Sequence, residues 1–323
     1  MFFGNLSSLL PIIPILLISG VIFVNGFTDA PNSVSGVVSS GIWKSGKACA
    51  VSGIFNMLGV VIFTLLSGKV AEGVVDLSDF GEYGTPAVYA CLTGVILFGI
   101  SAWAFAMPSS ESHALLSCIF GASLASSSFP TLYPFLLIIA YMLFSCVFSL
   151  VLALAFSYKF KKTPTECIKY EKITCMLSSF AHGAQDGQKL IALCLVLLPV
   201  GILFRSYVAV LLSLPVGIIM MSGTFAGGSR IISSLGNGIV ENDSKIAFLS
   251  DFSTTVCVFL CSLLGFSVST GNIKACSLIG AGIGCGKKIS YKTVKKIVIT
   301  SALTFPICIA LGFILTKLFI RIF

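Results

Sequence analysis

Long apolar runs separated by short polar breaks set the pattern of this chain. LLPIIPILLISGVIFV from Leu9 and LIALCLVLLPVGILF from Leu190 each approach the ~20 residues a helix needs to cross ~30 Å of hydrocarbon. Strands of a membrane barrel would alternate apolar and polar residues, and no such alternation is present, so helices are the expected spans. The pattern predicts helices over 9–28, 49–68, 86–106, 112–127 and 131–157 in the first half. In the second half it predicts 173–203, 205–222, 246–266, 272–286 and 297–319. The segments 112–127 and 272–286 are short, and are expected to tilt or to span only in part. The first run flows into polar residues with no small-residue cleavage site after it, and reads as a retained helix.

Composition agrees with a bilayer environment. Of 323 residues, 56% are hydrophobic and 10% charged, with a mean hydropathy of +1.04, whereas a soluble domain devotes about a quarter of its residues to charge. The chain is thus expected in the cell membrane as a multi-pass protein. The net charge of +8 sits in short loops, where it argues for orientation and not for nucleic acid. Lys159, Lys161, Lys162, Lys169 and Lys172 form one basic cluster, and Lys287, Lys288, Lys292, Lys295 and Lys296 another; both are expected on the cytoplasmic side. Lys44 and Lys47 favour the same side. Glu72, Asp76, Asp79 and Glu82 form an acidic segment expected outside. The twelve cysteines lie mostly singly in apolar stretches and read as small buried hydrophobes, not a disulfide framework. His113 and His182 are too far apart in sequence to suggest zinc or haem.

The halves echo each other. GFTDAPN from Gly26 returns as GAQDGQK from Gly183, which sets Asp29 and Asp186 157 positions apart. PSSESHALLSCIFGASL from Pro108 returns as SVSTGNIKACSLIGAGI from Ser267, with Ser110 and Ser269 159 positions apart. Five crossings per copy make the second copy enter from the opposite side. The expected fold is therefore an all-α polytopic membrane protein of two inverted repeats with interrupted helices. Its units are residues 1–157, a basic cytoplasmic linker 158–172, and residues 173–323. Inverted repeats of this kind meet near the bilayer midplane and bind a transported substrate there.

Asp29 and Asp186 are charges at matching places in apolar surroundings, and an intramembrane carboxylate points to function. Either could also simply cap a half-helix, since Pro31 favours an interruption after Asp29. Carboxylate and carboxamide oxygens from Asp29, Asn32 and Asp186, with Gln185 and Gln188, suit a small cation such as sodium. The breaks at Pro108–His113 and Ser267–Asn272 put Ser110, Ser112, Ser269 and Thr270 at helix starts, where hydroxyls and free N–H groups can bind an oxyanion; the plain alternative is capping or helix packing. An oxyanion among acids needs a cation, so coupling to sodium or to a proton follows. Lys189 either pairs with Asp186 or snorkels to the interface. Glu111 either carries the coupling proton or turns to water or lysine, and His113 and His182 either titrate or make structural hydrogen bonds. Arg230 is an anion anchor or an interfacial residue. No ATPase phosphate loop is present, and no nucleophile, base and orienting set marks an enzyme.

These motifs resemble the inorganic phosphate transporter (PiT) family. GFTDAPNS at 26–33 is similar to its GxxDxxNS signature and HGAQDGQK at 182–189 to its HGxNDxQK. PSSESH at 108–113 and SVSTGN at 267–272 resemble its two P-x-S-T-[ST]-H breaks, and GGSRIISSLG from Gly227 resembles its approach to the later helices. The resemblance implies a phosphate symporter driven by sodium or protons, with no cofactor beyond the coupling ion, and a homo-oligomer. It places Asp29, Asn32, Asp186 and Gln188 around ion and substrate, and gives Ser110, Ser112, Ser269 and Thr270 to phosphate. Glu111, Gln185, Ser267 and the pair Gly271–Asn272 depart from the family pattern. The added acid at Glu111 leaves open proton coupling, a protonated anion, or a sulfate or other small-oxyanion permease on the same fold.

Overall fold

The computed structural model describes residues 12–78, 80, 83–105, 110–126, 132–160, 168–198, 205–227, 232 and 238–322. Asp79, Glu82, Pro108, Ser109, Lys161, Lys162 and Arg230, singled out above, lie outside these. In the first half α1 (Ile12–Thr28) leads through a 3-10 turn (Ala30–Val34) into the short α2 (Ser35–Ser39). Then follow α3 (Ser45–Leu66), α4 (Lys69–Leu77), α5 (Gly84–Ala104), α6 (Glu111–Ala125) and α7 (Leu132–Lys159). The second half runs α8 (Ile168–Leu197), α9 (Arg205–Ala226), α10 (Ser244–Leu264), α11 (Thr270–Gly284) and α12 (Tyr291–Ile322).

A helix stands at each of the ten expected positions, with ends shifted by a turn or two. Among the described residues, seven helical stretches are long and apolar enough to cross a membrane: α1 with α2, α3, α5, α7, α9, α10 and α12. The three remaining spans, α6, α8 and α11, are the ones that carry the polar motifs. At 15 residues each, α6 and α11 reach only ~22 Å at 1.5 Å per residue, short of the hydrocarbon thickness. Three features lie beyond the apolar pattern. The acidic segment around Glu72 holds a helix, α4, with Val70, Ala71 and Val74 buried. The linker expected over 158–172 is shorter, because α7 runs to Lys159 and α8 begins at Ile168. The breaks before α6 and α11 are present in both copies, whereas the break after Asp29 has no counterpart after Asp186. Pro31 has no amide proton to continue the helix after Asp29; Gly187, Gln188 and Lys189 do, so α8 passes through Asp186 unbroken.

The halves are intertwined by exchange. The first helix of each packs on the second of the other, α1 on α9 and α8 on α3. The last helix of each packs on the short helix of the other, α7 on α11 and α12 on α6. Glycine allows the inner crossings: a Cβ on Gly26 would overlap the Met220 carbonyl, and one on its counterpart Gly183 would overlap that of Asn56. Leu143, Phe144 and Val147 on α7 and Val298, Ile299 and Leu303 on α12 are exposed, which suits a face toward lipid tails. The described residues flanking both basic loops come to one end of the bundle. There Gly284 abuts Ser157 at the end of α7, Lys287 lies 3.8 Å from Asp243, and Ser40 donates to Glu171 at the start of α8 (2.6 Å).

Candidate functional site: two helix starts over two carboxylates

The break after α1, the middle of α8 and the starts of α6 and α11 converge inside the bundle. Ser110 caps α6 by accepting from His113 N (3.2 Å), and Ser269 caps α11 by accepting from Asn272 N (3.3 Å). Ser110 Oγ donates to Ser269 Oγ at 2.8 Å, so the two motif copies meet directly and two positive helix ends face the same interior. In the first turn of each helix Ser112 and Thr270 face α8. Ser112 Oγ accepts from Lys189 Nζ (2.6 Å), and Thr270 Oγ1 lies 3.4 Å from Asp186 Oδ2.

Asp186 and Lys189 sit one turn apart on α8, so their side chains share a face. The ammonium donates to Asp186 Oδ1 (2.6 Å), to Ser112 and to Val268 O (2.5 Å). That engages all three of its protons. Lys189 is 2% exposed and Asp186 1%, which decides the alternative left by the sequence: the lysine pairs and does not snorkel. His182, four residues before Asp186, places Nε2 3.2 Å from Asp186 Oδ2 and Nδ1 3.0 Å from Asn56 Oδ1.

Asp29 has different surroundings. Asn32 Nδ2 donates to its Oδ1 (2.6 Å), while Asp29 Oδ2 and Asn32 Oδ1 are buried with no partner among the described residues. Ligand atoms of Asp29, His182 and Asp186 all lie within 4.8 Å of one another. The histidine that seemed isolated in sequence therefore belongs to the carboxylate cluster. Bare hard oxygens beside two carboxylates fit a small cation. Gly271 lets the start of α11 approach this group, since an added Cβ would stand 3.1 Å from Asn32 Nδ2 and 3.2 Å from Asp29 Oδ1. That closeness gives a physical reason for glycine where the family pattern carries a hydroxyl.

Glu111 is 4% exposed and turns neither to water nor to lysine: its Oε1 lies 2.5 Å from Thr28 Oγ1. With Ser112, Asp186, Lys189 and Asn25 it lines a cavity of about 10 Å³. Two expected members are absent from the cluster. Gln188 accepts from Val70 N (3.2 Å) and donates to Ala184 O (3.0 Å), tying α4 to α8. Gln185 donates to Phe266 O (2.9 Å) and accepts from Ser262 (2.5 Å). His113 stacks on Phe305 of α12 at 4.6 Å. The described cysteines are free thiols. Sequence reasoning passed over Thr28, Asn56 and a second buried ion pair, Lys274 with Asp251; for the pair, a charge within each of two apolar helices was the available signal.

Comparison with known proteins points the same way. The model of a phosphate transporter family matches twice, over residues 25–171 and 168–312, one match per half. A probable low-affinity inorganic phosphate transporter of Bacillus subtilis is 27% identical over 315 residues, covering 92% of this chain and 94% of its own. One from Mycobacterium bovis is 26% identical over 95% of this chain and 77% of its own, and one from Rhizobium meliloti 27% identical over 88% and 89%. A solved structure described as the sodium-dependent phosphate transporter superposes with a TM-score of 0.82 over 97% of this chain and 99% of its own, at 18% identity. That likeness shows the fold. These relatives are transporters and not enzymes, and the apolar spans make this chain a multi-pass membrane protein. With both halves matched, the chain belongs to the phosphate transporter family.

Proposed function

We propose that this chain carries inorganic phosphate across the membrane by alternating access, in symport with sodium or protons. The observation that carries the reading is the meeting of the α6 and α11 starts through Ser110 and Ser269 beside Asp29, Asp186 and Lys189. Two helix ends and four hydroxyls line the place for a tetrahedral oxyanion, and the positive charge of Lys189 attracts it. The carboxylates oppose that anion, and a co-transported cation at Asp29, Asn32 and Asp186 removes the opposition. Anion and cation then favour each other's binding, which is the coupling. In this reading Ser110, Ser112, Ser269, Thr270 and Asn32 hold phosphate, and the units 1–157 and 173–323 rearrange about the shared site. Gln188 is left out, because its amide is used between α4 and α8.

Glu111 is the proton-carrying group in this scheme. Thr28 Oγ1 lies 2.8 Å from Val24 O and 2.5 Å from Glu111 Oε1. Thr28 thus donates to Glu111 Oε1 while lying within reach of Val24 O, which ties the acid to the end of α1 beside the central cluster.

The test is radiolabelled phosphate entry into proteoliposomes of the purified protein, with sodium and proton gradients imposed separately and excess sulfate as competitor. Accumulation under one gradient identifies the coupling ion. No phosphate entry under either gradient, with sulfate uptake instead, replaces the reading by a sulfate permease on the same fold.

A further inference from the structure

A second buried lysine stands on the other side of the central cluster, outside the site described above. Lys274, in the second turn of α11, is 1% exposed and forms an ion pair with Asp251 of α10. Its Nζ also donates to Ser250 Oγ (3.3 Å). These bonds use two of three ammonium protons, and the third has no partner among the described residues. Lys274 lines a cavity of about 10 Å³ together with Asn32, His182, Thr254 and Thr270. Asn32, His182 and Thr270 belong to the central cluster, so this cavity adjoins it directly. Thr254 Oγ1, in the lining, and Asp251 Oδ2, beside Gly36, are buried without a partner among the described residues.

From this cavity a buried polar seam leads to the basic end of the bundle. Ser33 contacts Ser52 and Ser179 (3.2 and 3.0 Å), and Asp251 and Glu171 are 0% exposed. Glu171, with one oxygen unpartnered, reaches Ser40 at the end of α2. A column of hydroxyls and charges at this depth, in a chain that is 10% charged, is costly unless it is used. The arrangement at Lys274 also repeats the one at Lys189: a buried ammonium held by one aspartate and one serine hydroxyl, lining a small cavity beside the central cluster.

We propose that Lys274 is a second oxyanion site, between the central site and the basic end, at which the transported anion displaces Asp251 as partner of the ammonium. The exchange never leaves the lysine unpaired in a low-dielectric interior, which is why a carboxylate stands in when the anion is elsewhere. A cavity with room for about one water is too small for phosphate, so the ion pair closes the path in the state described. The proposal rests on the transport reading above and adds to it a station on the release path.

The test compares purified wild type, Asp251→Asn, and the double variant Asp251→Leu/Lys274→Met, each by phosphate binding in detergent and by phosphate uptake into vesicles. Asp251→Asn leaves the ammonium to the anion: phosphate binding tightens by about tenfold or more, and uptake slows because release does, in line with the large coupling of buried charge pairs. The double variant removes both charges, which a merely structural pair tolerates well. It is expected to keep its melting temperature and to lose about nine-tenths of its uptake, with binding within about twofold of wild type. Wild-type uptake by the double variant, or binding by Asp251→Asn no tighter than wild type, overturns the assignment. Should wild-type vesicles take up sulfate and not phosphate, the proposed substrate fails, and the three proteins are compared with sulfate as probe. Failure of the substrate reading and failure of the Lys274 site are thus read in separate arms.

Discussion

The two aspartates occupy equivalent positions in the two halves, yet their backbones and partners differ. Asp29 ends α1, and Pro31 forces the chain through a 3-10 turn, leaving Asp29 Oδ2 and Asn32 Oδ1 bare. Asp186 lies within the unbroken α8, where Lys189, His182 and Thr270 surround both its oxygens. One proline separates a carboxylate with a free oxygen for a new ligand from one already neutralised by its own helix. Inverted copies thus share register and location while differing in chemistry: the first leaves bare carboxylate and carboxamide oxygens, and the second carries a buried ammonium paired with its aspartate.

The strongest attempt to break this comparison is the pair Asp186→Asn and Asp29→Asn. Asp186→Asn leaves the Lys189 charge buried without its carboxylate, a loss of ~3–5 kcal/mol in stability, measured as a fall in melting temperature together with loss of uptake. Asp29→Asn is expected to stay within ~1 kcal/mol of wild type, while uptake loses its dependence on the coupling cation. Equal falls in melting temperature for both would erase the distinction drawn here. A sharper probe of the first copy is Glu111→Gln. The amide oxygen can still accept from Thr28, so the fold is kept. Phosphate uptake driven by a proton gradient is expected to fall ~10-fold, with sodium-driven uptake changed much less. Equal proton-driven uptake in the variant and wild type would remove Glu111 from the coupling.

The helix starts, in contrast to the aspartates, are equivalent in the two halves. Ser110→Ala and Ser269→Ala each remove a cap worth ~1 kcal/mol and break the same mutual bond. Their melting temperatures and their weakened phosphate half-saturation should therefore agree closely. Divergence between them would show that the copies differ at the helix starts as well. The smallest effect belongs to Gln188→Ala, which loses the contact of α4 to α8 at ~1 kcal/mol and leaves phosphate half-saturation unchanged. A large rise in half-saturation would return Gln188 to the substrate.

Much of the architecture was legible along the chain, because the cost of unsatisfied backbone in lipid leaves few choices once the apolar runs are counted. The short helices α6 and α11 and the break after Asp29 came from polar and proline positions that no apolar pattern explains. Gln185 and Gln188 misled because a carboxamide serves equally as ligand or as structural bridge, and the bridging partners, Phe266 and Val70, lie far from them in sequence. The helix at Lys69–Leu77 was missed for a related reason. It is too short and too polar to register as a span, and its packing, mainly on α8, buries it.

By itself the sequence determined a helical membrane protein of two related halves, the opposite entry of those halves, and the hydroxyls and acids that lie between them. Each of these depends on composition, periodicity or matched spacing, which are properties of the chain alone. Only the tertiary structure decided that Lys189 pairs and does not snorkel, that His182 joins the carboxylates, that α8 stays whole, and that Lys274 pairs with Asp251 beside the central cluster. Those outcomes depend on which side chain of one half stands within hydrogen-bonding distance of the other. That distance is set by helix crossings at Gly26 and Gly183, where two backbones nearly touch.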